Sequence, residues 1–585
     1  MNILGYSGLH GSIEFRKRNY ANLTENEYRM CQGLDSAACI FINGEVIAAA
    51  EEERFNGEKY TCDFPIKAIE FCLREANLSI EELDYICHGF DYSSYKELLS
   101  ISRSGVDFYN EVLSPEIQIK LWQKHYPIFP VKKKFININH HLSHAATAFY
   151  PSGFDSALIL VADGIGESHS VSLFEGSRSG ITLINNYGIL CSLGVLYSQI
   201  TAHLGFLVNS DEYKVMGLAP YGDSARYKHI FDDIIDYKDK GEISINKFAL
   251  NITDIERQTG RGFRNWLSKN LCSPRLENES ITQQHKDIAA ALQQALQKCL
   301  FHILIYWKNK INASNLCMAG GVALNCVANG EIFKKNIFDN MYVQPAASDA
   351  GTAIGAAMVQ SNKIGYRPKS TEALPPYYGP CLDELSCEQA INKYKNQIKY
   401  KKFSESDLIK EAAYWITNRK VIAWMQGRME FGPRALGNRS ILADPTDSNM
   451  RNRINALVKK RESFRPFAPS VKLESVHKYF DVPYLHELPH MLYTVPVKEE
   501  YKNILPAITH IDGSARVQTV NRNYARKYWS LIDEVEKTSG IPIILNTSFN
   551  VKGQPIVCTA IEAIKTLLDT NIDALFMGNY LITLR

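Results

Sequence analysis

The sequence has no C-x-x-C pair, almost no net charge and no uninterrupted apolar run near the roughly 20 residues a membrane helix needs. Each absence removes a class of protein. The 13 cysteines are scattered, and Cys72, Cys317 and Cys326 sit inside apolar runs. They read as reduced core residues, not as a disulfide framework or a zinc site. The first residues, Met1-Asn-Ile-Leu-Gly-Tyr-Ser-Gly, lack a basic stretch ahead of a long apolar one. No secretory signal is expected, and the protein reads as cytoplasmic and free of membrane. Lys and Arg number 65 against 63 Asp and Glu, a net charge of +2. That balance gives no broad footprint for nucleic acid, although a local basic pocket stays open. No low-complexity tract and no repeat of fixed period is visible.

What is there is an ordinary globular composition, 45% hydrophobic and 22% charged, over 585 residues, too many for one core. Ala38–Ala50 reads as two strands around Asn43-Gly44, a strong hairpin signal. Phe64–Arg74 has helical apolar spacing with Pro near its start, and so does Lys286–Lys308. Asp155–Asp163 reads as a buried strand ending on a carboxylate, and Asn315–Ala319 as a strand running into Gly320-Gly321. Such alternation indicates an α/β domain with mixed sheets. Periodicity lapses in the Pro-, Tyr- and Gly-rich stretch from Thr371 to Pro380, read as a linker. The expected domains are therefore 1–370 and 371–585.

The sharpest constellation in the large domain is Phe135-Ile-Asn-Ile-Asn-His-His-Leu-Ser-His. A strand-like run precedes a helix on which His140 and His144, four apart, share one face and can share a metal ion. Asp163 and Asp349 can add carboxylate oxygens. Two His and two carboxylates suit Fe(II), Mn(II) or Zn(II), and ligand type does not choose among them. His141, between the two, reads as structural. The turns Asp163-Gly-Ile-Gly, Gly320-Gly-Val-Ala-Leu-Asn and Asp349-Ala-Gly-Thr suit a nucleotide's phosphates or ribose. Asn209–Gly222 packs Asp211, Glu212 and Lys214 against a turn, which a solvated charged loop would also do.

In the small domain, Gly427–Ser440 sets Arg428, Arg434 and Arg439 among glycines, and Lys460, Arg461 and Arg465 follow, then Arg516. Guanidinium groups bind phosphate oxygens bidentately, so the cluster suits a triphosphate or a phosphoanhydride. Ile541–Val557 reads as a buried strand stopping on Asn546, Ser548 and Asn550, a usual place for a ligand in α/β proteins.

Over nearly its whole length the chain resembles the carbamoyltransferases of nodulation-factor and antibiotic biosynthesis. The matching stretches are Ala48–Phe55, His140–Ala145, Glu212–Gly222, Gly320–Asn325, Phe431–Ser440, Phe464–Pro469 and Asn546–Asn550. The resemblance implies a large actin- and sugar-kinase-like ATPase domain, akin to the tRNA threonylcarbamoyl transferase. It implies a smaller α/β domain akin to threonylcarbamoyl-adenylate synthase. In that scheme the small domain splits carbamoyl phosphate and joins the carbamate to AMP, using ATP with Mg2+. An acceptor hydroxyl then takes the carbamoyl group at the large domain's metal site. His140, His144, Asp163 and Asp349 fall on the family's metal motifs, with Fe2+ the ion the resemblance favours. Lys214, Gly320, Gly321 and Asn325 fall on nucleotide or intermediate motifs of the large domain. Arg434, Lys460, Arg465, Arg516, Asn546 and Ser548 fall on the carbamoyl phosphate and ATP motifs.

One departure stands out. The family begins with a Gly and then an adjacent His-Asp-Ser, whereas here the stretch from His10 to Leu34 looks inserted, leaving Asp35-Ser36 preceded by Leu34. Asp35, and His10 as a replacement for the missing His, are the candidates at the acceptor end. The acceptor is expected to be a hydroxylated small molecule of natural-product metabolism; some saxitoxin-type toxins are carbamoylated by this family. A homodimer is compatible with the resemblance. Two rivals share the motifs: a tRNA-modifying threonylcarbamoyl-type enzyme, disfavoured by near-neutral charge and the second domain, and a non-catalytic ATP-binding regulator, disfavoured by the intact candidate ligands.

Overall fold

The computed structural model describes all residues except 101, 371–375, 460, 461, 463 and 484–486, and the side chains of 98 and 459. Lys460 and the first half of the expected linker lie outside the described residues. The chain forms two compact units, Met1–Glu53 with Tyr60–Glu372, and Arg54–Lys59 with Ala373–Arg585. A division at 370 therefore misses one excursion: Arg54 donates to the Gly432 carbonyl at 3.0 Å, and Phe55 packs with Met429, Ile556 and Cys558 of the small unit. Within the large unit the Tyr60 N–H returns to the Glu53 carboxylate at 2.8 Å.

The large unit holds two five-stranded sheets built alike. In the first, β1 (Asn2–Ser7), β2 (Ala37–Ile42) and β3 (Glu45–Glu51) form an antiparallel meander, and β4 (Tyr85–His88) and β5 (Phe135–Asn137) add in parallel on the far side of β1. In the second, β6 (Ala157–Gly166), β7 (His169–Ser177) and β8 (Gly180–Gly188) meander, and β9 (Asn315–Ala319) and β10 (Asn340–Val343) add in parallel beyond β6. This repeated order fits the duplicated large domain that the family resemblance implies. No sequence period betrays it, because a shared topology asks only for alternating burial, not for shared residues.

Helices fill the crossovers. α1 (Ile66–Glu75) buries Ala68, Ile69, Phe71, Cys72 and Leu73, each large apolar side chain contributing about 1.5–3 kcal/mol. α2 (His140–Ser152) leaves β5; α3 (Leu193–His203) and α4 (Gln283–Ile311) follow β8; α5 (Cys326–Lys334) joins β9 to β10; and α6 (Ala350–Lys363) leaves β10. α2 and α6, the last helices of the two halves, pack on each other. Gly355 permits the approach, since a Cβ there would lie 1.9 Å from the Ser143 carbonyl oxygen. α4 is 29 residues long and apolar enough to cross a membrane by length and composition, yet 67% of its most apolar window is buried inside the protein. It is a core helix.

The small unit is built on one mixed eight-stranded sheet. Its strands are β11 (Ile398–Lys402), β12 (Ile422–Met425), β13 (Arg439–Ala443), β14 (Ala468–Lys472), β15 (Gln518–Val520), β16 (Ile543–Ser548), β17 (Ala574–Met577) and β18 (Tyr580–Leu584). They lie in the order β11-β18-β17-β12-β13-β16-β14-β15. Ile422 and Trp424 of β12, two apart and so on one face, pack with Leu442, Ile544 and Phe576 beneath α7 (Glu405–Thr417) and α8 (Arg526–Ser539). All 13 cysteines are free thiols, ten of them buried.

Candidate metal centre and active site

Asn139 caps α2, its side chain accepting the Leu142 N–H at 2.9 Å, so that His140 and His144 point from the first turn. Their Nε2 atoms lie 3.2 Å apart. Two carboxylates complete the group: Asp163 Oδ2 is 3.3 and 3.5 Å from the two Nε2 atoms, and Asp349 Oδ1 is 3.5 and 3.7 Å from them. One donor atom from each of the four residues lies within 4.8 Å of the others. Both imidazoles are fully buried.

The surroundings aim these donors. His140 Nδ1 donates to the Gly89 carbonyl at 3.0 Å, which fixes the ring's orientation with Nε2 facing inward. Phe90 stacks on the same ring at 4.1 Å. Glu167, at φ +48°, accepts the His140 N–H at 2.8 Å, the Asn139 amide at 2.8 Å and the Asp91 N–H at 2.9 Å, gripping the start of α2. Asp349 is the N-cap of α6, but its side chain makes no capping bond and turns to the imidazoles instead. Asp163 lies inside β6, not at its end: the strand continues to Gly166 through an irregular register after Ala162. There Asp163 Oδ1 accepts the N–H groups of Gly164 and Gly321 at 2.7 and 3.3 Å, leaving Oδ2 for the histidines.

The pocket sets two carboxylates against two imidazoles. Burial alone would lower the pKa of His140; Asp349 and Asp163 outweigh it and hold the ring well above the usual histidine range. Burial would raise Asp163 and Asp349, and the two imidazoles overcome it and hold both carboxyls down. Two buried carboxylates facing two inward imidazole nitrogens form a donor set that fits a divalent transition ion. His141 is set apart, with Nδ1 2.6 Å from the Ser172 hydroxyl and burial keeping the ring neutral.

The other expected residues divide. Asp35 accepts the Ser348 hydroxyl at 2.5 Å, one residue from Asp349, and has a left-handed φ of +67°. His10 lies on Asp63 at 3.6 Å and accepts the Phe64 N–H at 3.2 Å; neither partner belongs to the metal group. Gly320 has φ +87°, and a Cβ there would sit 2.3 Å from the Ala162 carbonyl oxygen, so the turn beside Asp163 needs glycine. Asn325 caps α5 and exchanges two hydrogen bonds with Gln293, at 2.9 and 3.0 Å. Lys214 pairs with Asp211 at 2.8 Å over the Phe206 ring. Glu212 is no solvated loop charge: it is half-buried at a helix start and accepts from Ser198, Asn209 and Ser210.

In the small unit, two of the three arginines in Gly427–Ser440 are occupied by backbone. Arg439, fully buried, donates to the carbonyls of Gln426 (2.7 Å), Gly427 (3.3 Å), Asn438 (3.0 Å) and Pro380 (3.0 Å). Arg428 donates to Tyr378 and Gly379 carbonyls at 2.8 and 3.3 Å. Arg434 is different: its Nε is buried with no hydrogen-bond partner among the described residues. Glu430 shapes the loop that presents it, accepting the N–H groups of Leu436, Asn438 and Arg439. Arg516 sits on the short strand Ser514–Arg516, close enough to His510 that its charge, with that of Arg451, adds to burial in lowering that ring to about 4. Asn546 donates to Ala435, Ser470 and Gln518, and its Oδ1 is buried with no hydrogen-bond partner among the described residues. Ser548 donates to Asn550 at 2.8 Å, and Arg465 lies 3.6 Å from Glu462.

Two family models match the chain: the carbamoyltransferase N-terminus over residues 32–358 and the carbamoyltransferase C-terminus over residues 413–584. The chain belongs to the carbamoyltransferase family. Nodulation protein NolNO of Sinorhizobium fredii is 39% identical to this carbamoyltransferase over 94% of its chain and 79% of the relative. Nodulation protein NolO of Bradyrhizobium diazoefficiens is 42% identical over 77% and 79%. Nodulation protein U of the same organism is 26% identical over 89% and 91%. Sequence reasoning missed Glu167, Gly89 and Glu430 in this carbamoyltransferase. The first two hold the candidate ligands through backbone or from a distant strand, which no local spacing reveals.

Proposed function

We propose that this carbamoyltransferase is an ATP-dependent O-carbamoyltransferase working in two steps. In the small unit, water splits carbamoyl phosphate into carbamate and phosphate, and a carbamate oxygen attacks the α-phosphorus of Mg-ATP. Pyrophosphate leaves and carbamoyl-adenylate forms. Arg434 and Arg516, with Asn546, clamp the phosphates. In the large unit, an acceptor hydroxyl attacks the carbamoyl carbon, the carbon–oxygen bond to AMP breaks, and the hydroxyl proton passes toward Asp35. A divalent ion held by His140, His144, Asp163 and Asp349, Fe(II) first and Mn(II) or Zn(II) by donor type, would offset charge on the adenylate phosphate. Gly89 and Glu167 keep the imidazoles oriented. Burial of the site keeps water from competing with the hydroxyl.

The convergence of His140, His144, Asp163 and Asp349 from three separate stretches of chain supports this reading most. The test is incubation with ATP, carbamoyl phosphate and a panel of hydroxylated natural products, read by mass spectrometry for a carbamoylated product and for AMP. Carbamoyl-phosphate-dependent pyrophosphate is expected even without an acceptor. Product with no ATP consumed would refute the adenylate step.

A further inference from the structure

The stretch 10–34 lies almost wholly ahead of the family-matched residues 32–358, and it docks on the large unit through charged groups. Arg16 donates to the Glu27 carbonyl at 2.9 Å and to the carbonyl and side chain of Gln258 at 2.7 and 2.8 Å. Glu27 receives the Arg261 fork at 2.6 and 2.9 Å and Arg264 at 2.5 Å. Burial would raise Glu27; Arg261, the Thr24 N–H and Arg264 outweigh it and hold the carboxyl at about 2. Two guanidiniums are thus fixed on the Glu27 carboxylate and a third, that of Arg16, on its carbonyl.

A fourth is not. Arg29 is only partly exposed, and its Nε and Nη2 are buried with no hydrogen-bond partner among the described residues. Glu14 also bears on this neighbourhood, its charge acting on Cys31 together with those of Arg16 and Arg29. Positive charge is in excess, and a buried guanidinium edge without an acceptor is costly unless something completes it. Nε and Nη2 are the pair that grips an oxyanion side-on in a bidentate fork.

Two chains of contacts run from Arg29 toward the metal ligands. Its carbonyl accepts the Asn209 amide at 2.6 Å, and the Asn209 N–H donates to Glu212, which also receives the Ser198 hydroxyl. Ser198 lies on α3, roughly 9 Å along the helix from Ser192, whose hydroxyl donates to the Gly164 carbonyl beside Asp163 at 2.5 Å. On the other side, Gln32 pairs with the Tyr92 hydroxyl, and the neighbouring Asp91 N–H donates to the Glu167 carboxylate that fixes α2.

We propose that Arg29 anchors an oxyanion carried by the carbamoyl acceptor, a carboxylate, sulfate or phosphate ester, while the acceptor's hydroxyl lies at the metal centre. This deepens, and rests on, the carbamoyl-transfer reading. Sulfate probes the site without any acceptor. In a full-length R434Q background, chosen to weaken the small unit's anion clamp, R29Q is expected to weaken radiolabelled sulfate binding at least tenfold in equilibrium dialysis. R29K should recover part of it, lacking the fork. Unchanged sulfate affinity in a folded R29Q protein overturns the site. A second arm compares one alcohol with and without a carboxylate. R29Q should erase about tenfold of the kcat/KM preference for the carboxylated form. Lost sulfate binding with that preference intact would overturn the assignment to the acceptor. If no alcohol is carbamoylated while sulfate binding still depends on Arg29, the transfer reading fails and the anion site stands.

Discussion

The two charged regions of the protein answer their sequence patterns differently. In the large unit, His140, His144, Asp163 and Asp349 come from three separate stretches and meet with donor atoms within 4.8 Å of one another. In the small unit, Arg428, Arg434 and Arg439 come from one short stretch, yet two of the three face backbone carbonyls. Imidazole and carboxylate together, buried, have few stable partners besides each other and a cation. Arginine has five donors and satisfies them equally well on carbonyls or on phosphate. A guanidinium in a glycine-rich turn is therefore the more ambiguous of the two patterns in sequence.

The comparison is sharpened most by removing both imidazoles. H140A/H144A is expected to lose stoichiometric metal on reconstitution with Fe(II), Mn(II) or Zn(II), and carbamoyl transfer should fall a thousandfold or more, on the order of 4 kcal/mol. Pyrophosphate release should persist. Parental transfer by this double variant would break the metal assignment. Next come the two arginines, which should fail in different ways. R439A leaves four carbonyls without their buried cation and should destabilise the small unit by about 3 kcal/mol, read as a fall in melting temperature. R434A should melt like the parent but release pyrophosphate ten- to a hundredfold more slowly, each charge-assisted phosphate contact being worth roughly 1.5–3 kcal/mol. Equal melting losses in both would erase the distinction between a staple and a clamp. The smallest effect is expected from E167Q, which keeps the shape but weakens the grip on the His140 and Asn139 groups: about a tenfold loss of metal affinity in a competition titration.

The legible parts of the fold were those with local signatures. Asn43-Gly44 marked the β2–β3 turn, with both residues at positive φ, and the periodicity of Lys286–Lys308 marked α4. Asn315–Ala319 was a short apolar run opening on glycines. What escaped was long-range. Arg54–Lys59 joins the small unit because Arg54 finds the Gly432 carbonyl 378 residues away. The irregular register that places Asp163 inside β6 depends on pairing with β7, and the duplication of the two sheets leaves no repeated residues to read. In the candidate site, the four residues that cluster were visible as residue types, whereas their orientation by the Gly89 carbonyl and by Glu167 was not.

The duplication has a mechanical consequence. α2 is the closing helix of the first half and α6 of the second; one carries both imidazoles and the other begins at Asp349. Any ion taken by all four donors is thus a rivet driven through the seam of a pseudo-twofold body. Sliding one half on the other would have to surrender a donor first, so grip on the ion and closure of the seam rise and fall together.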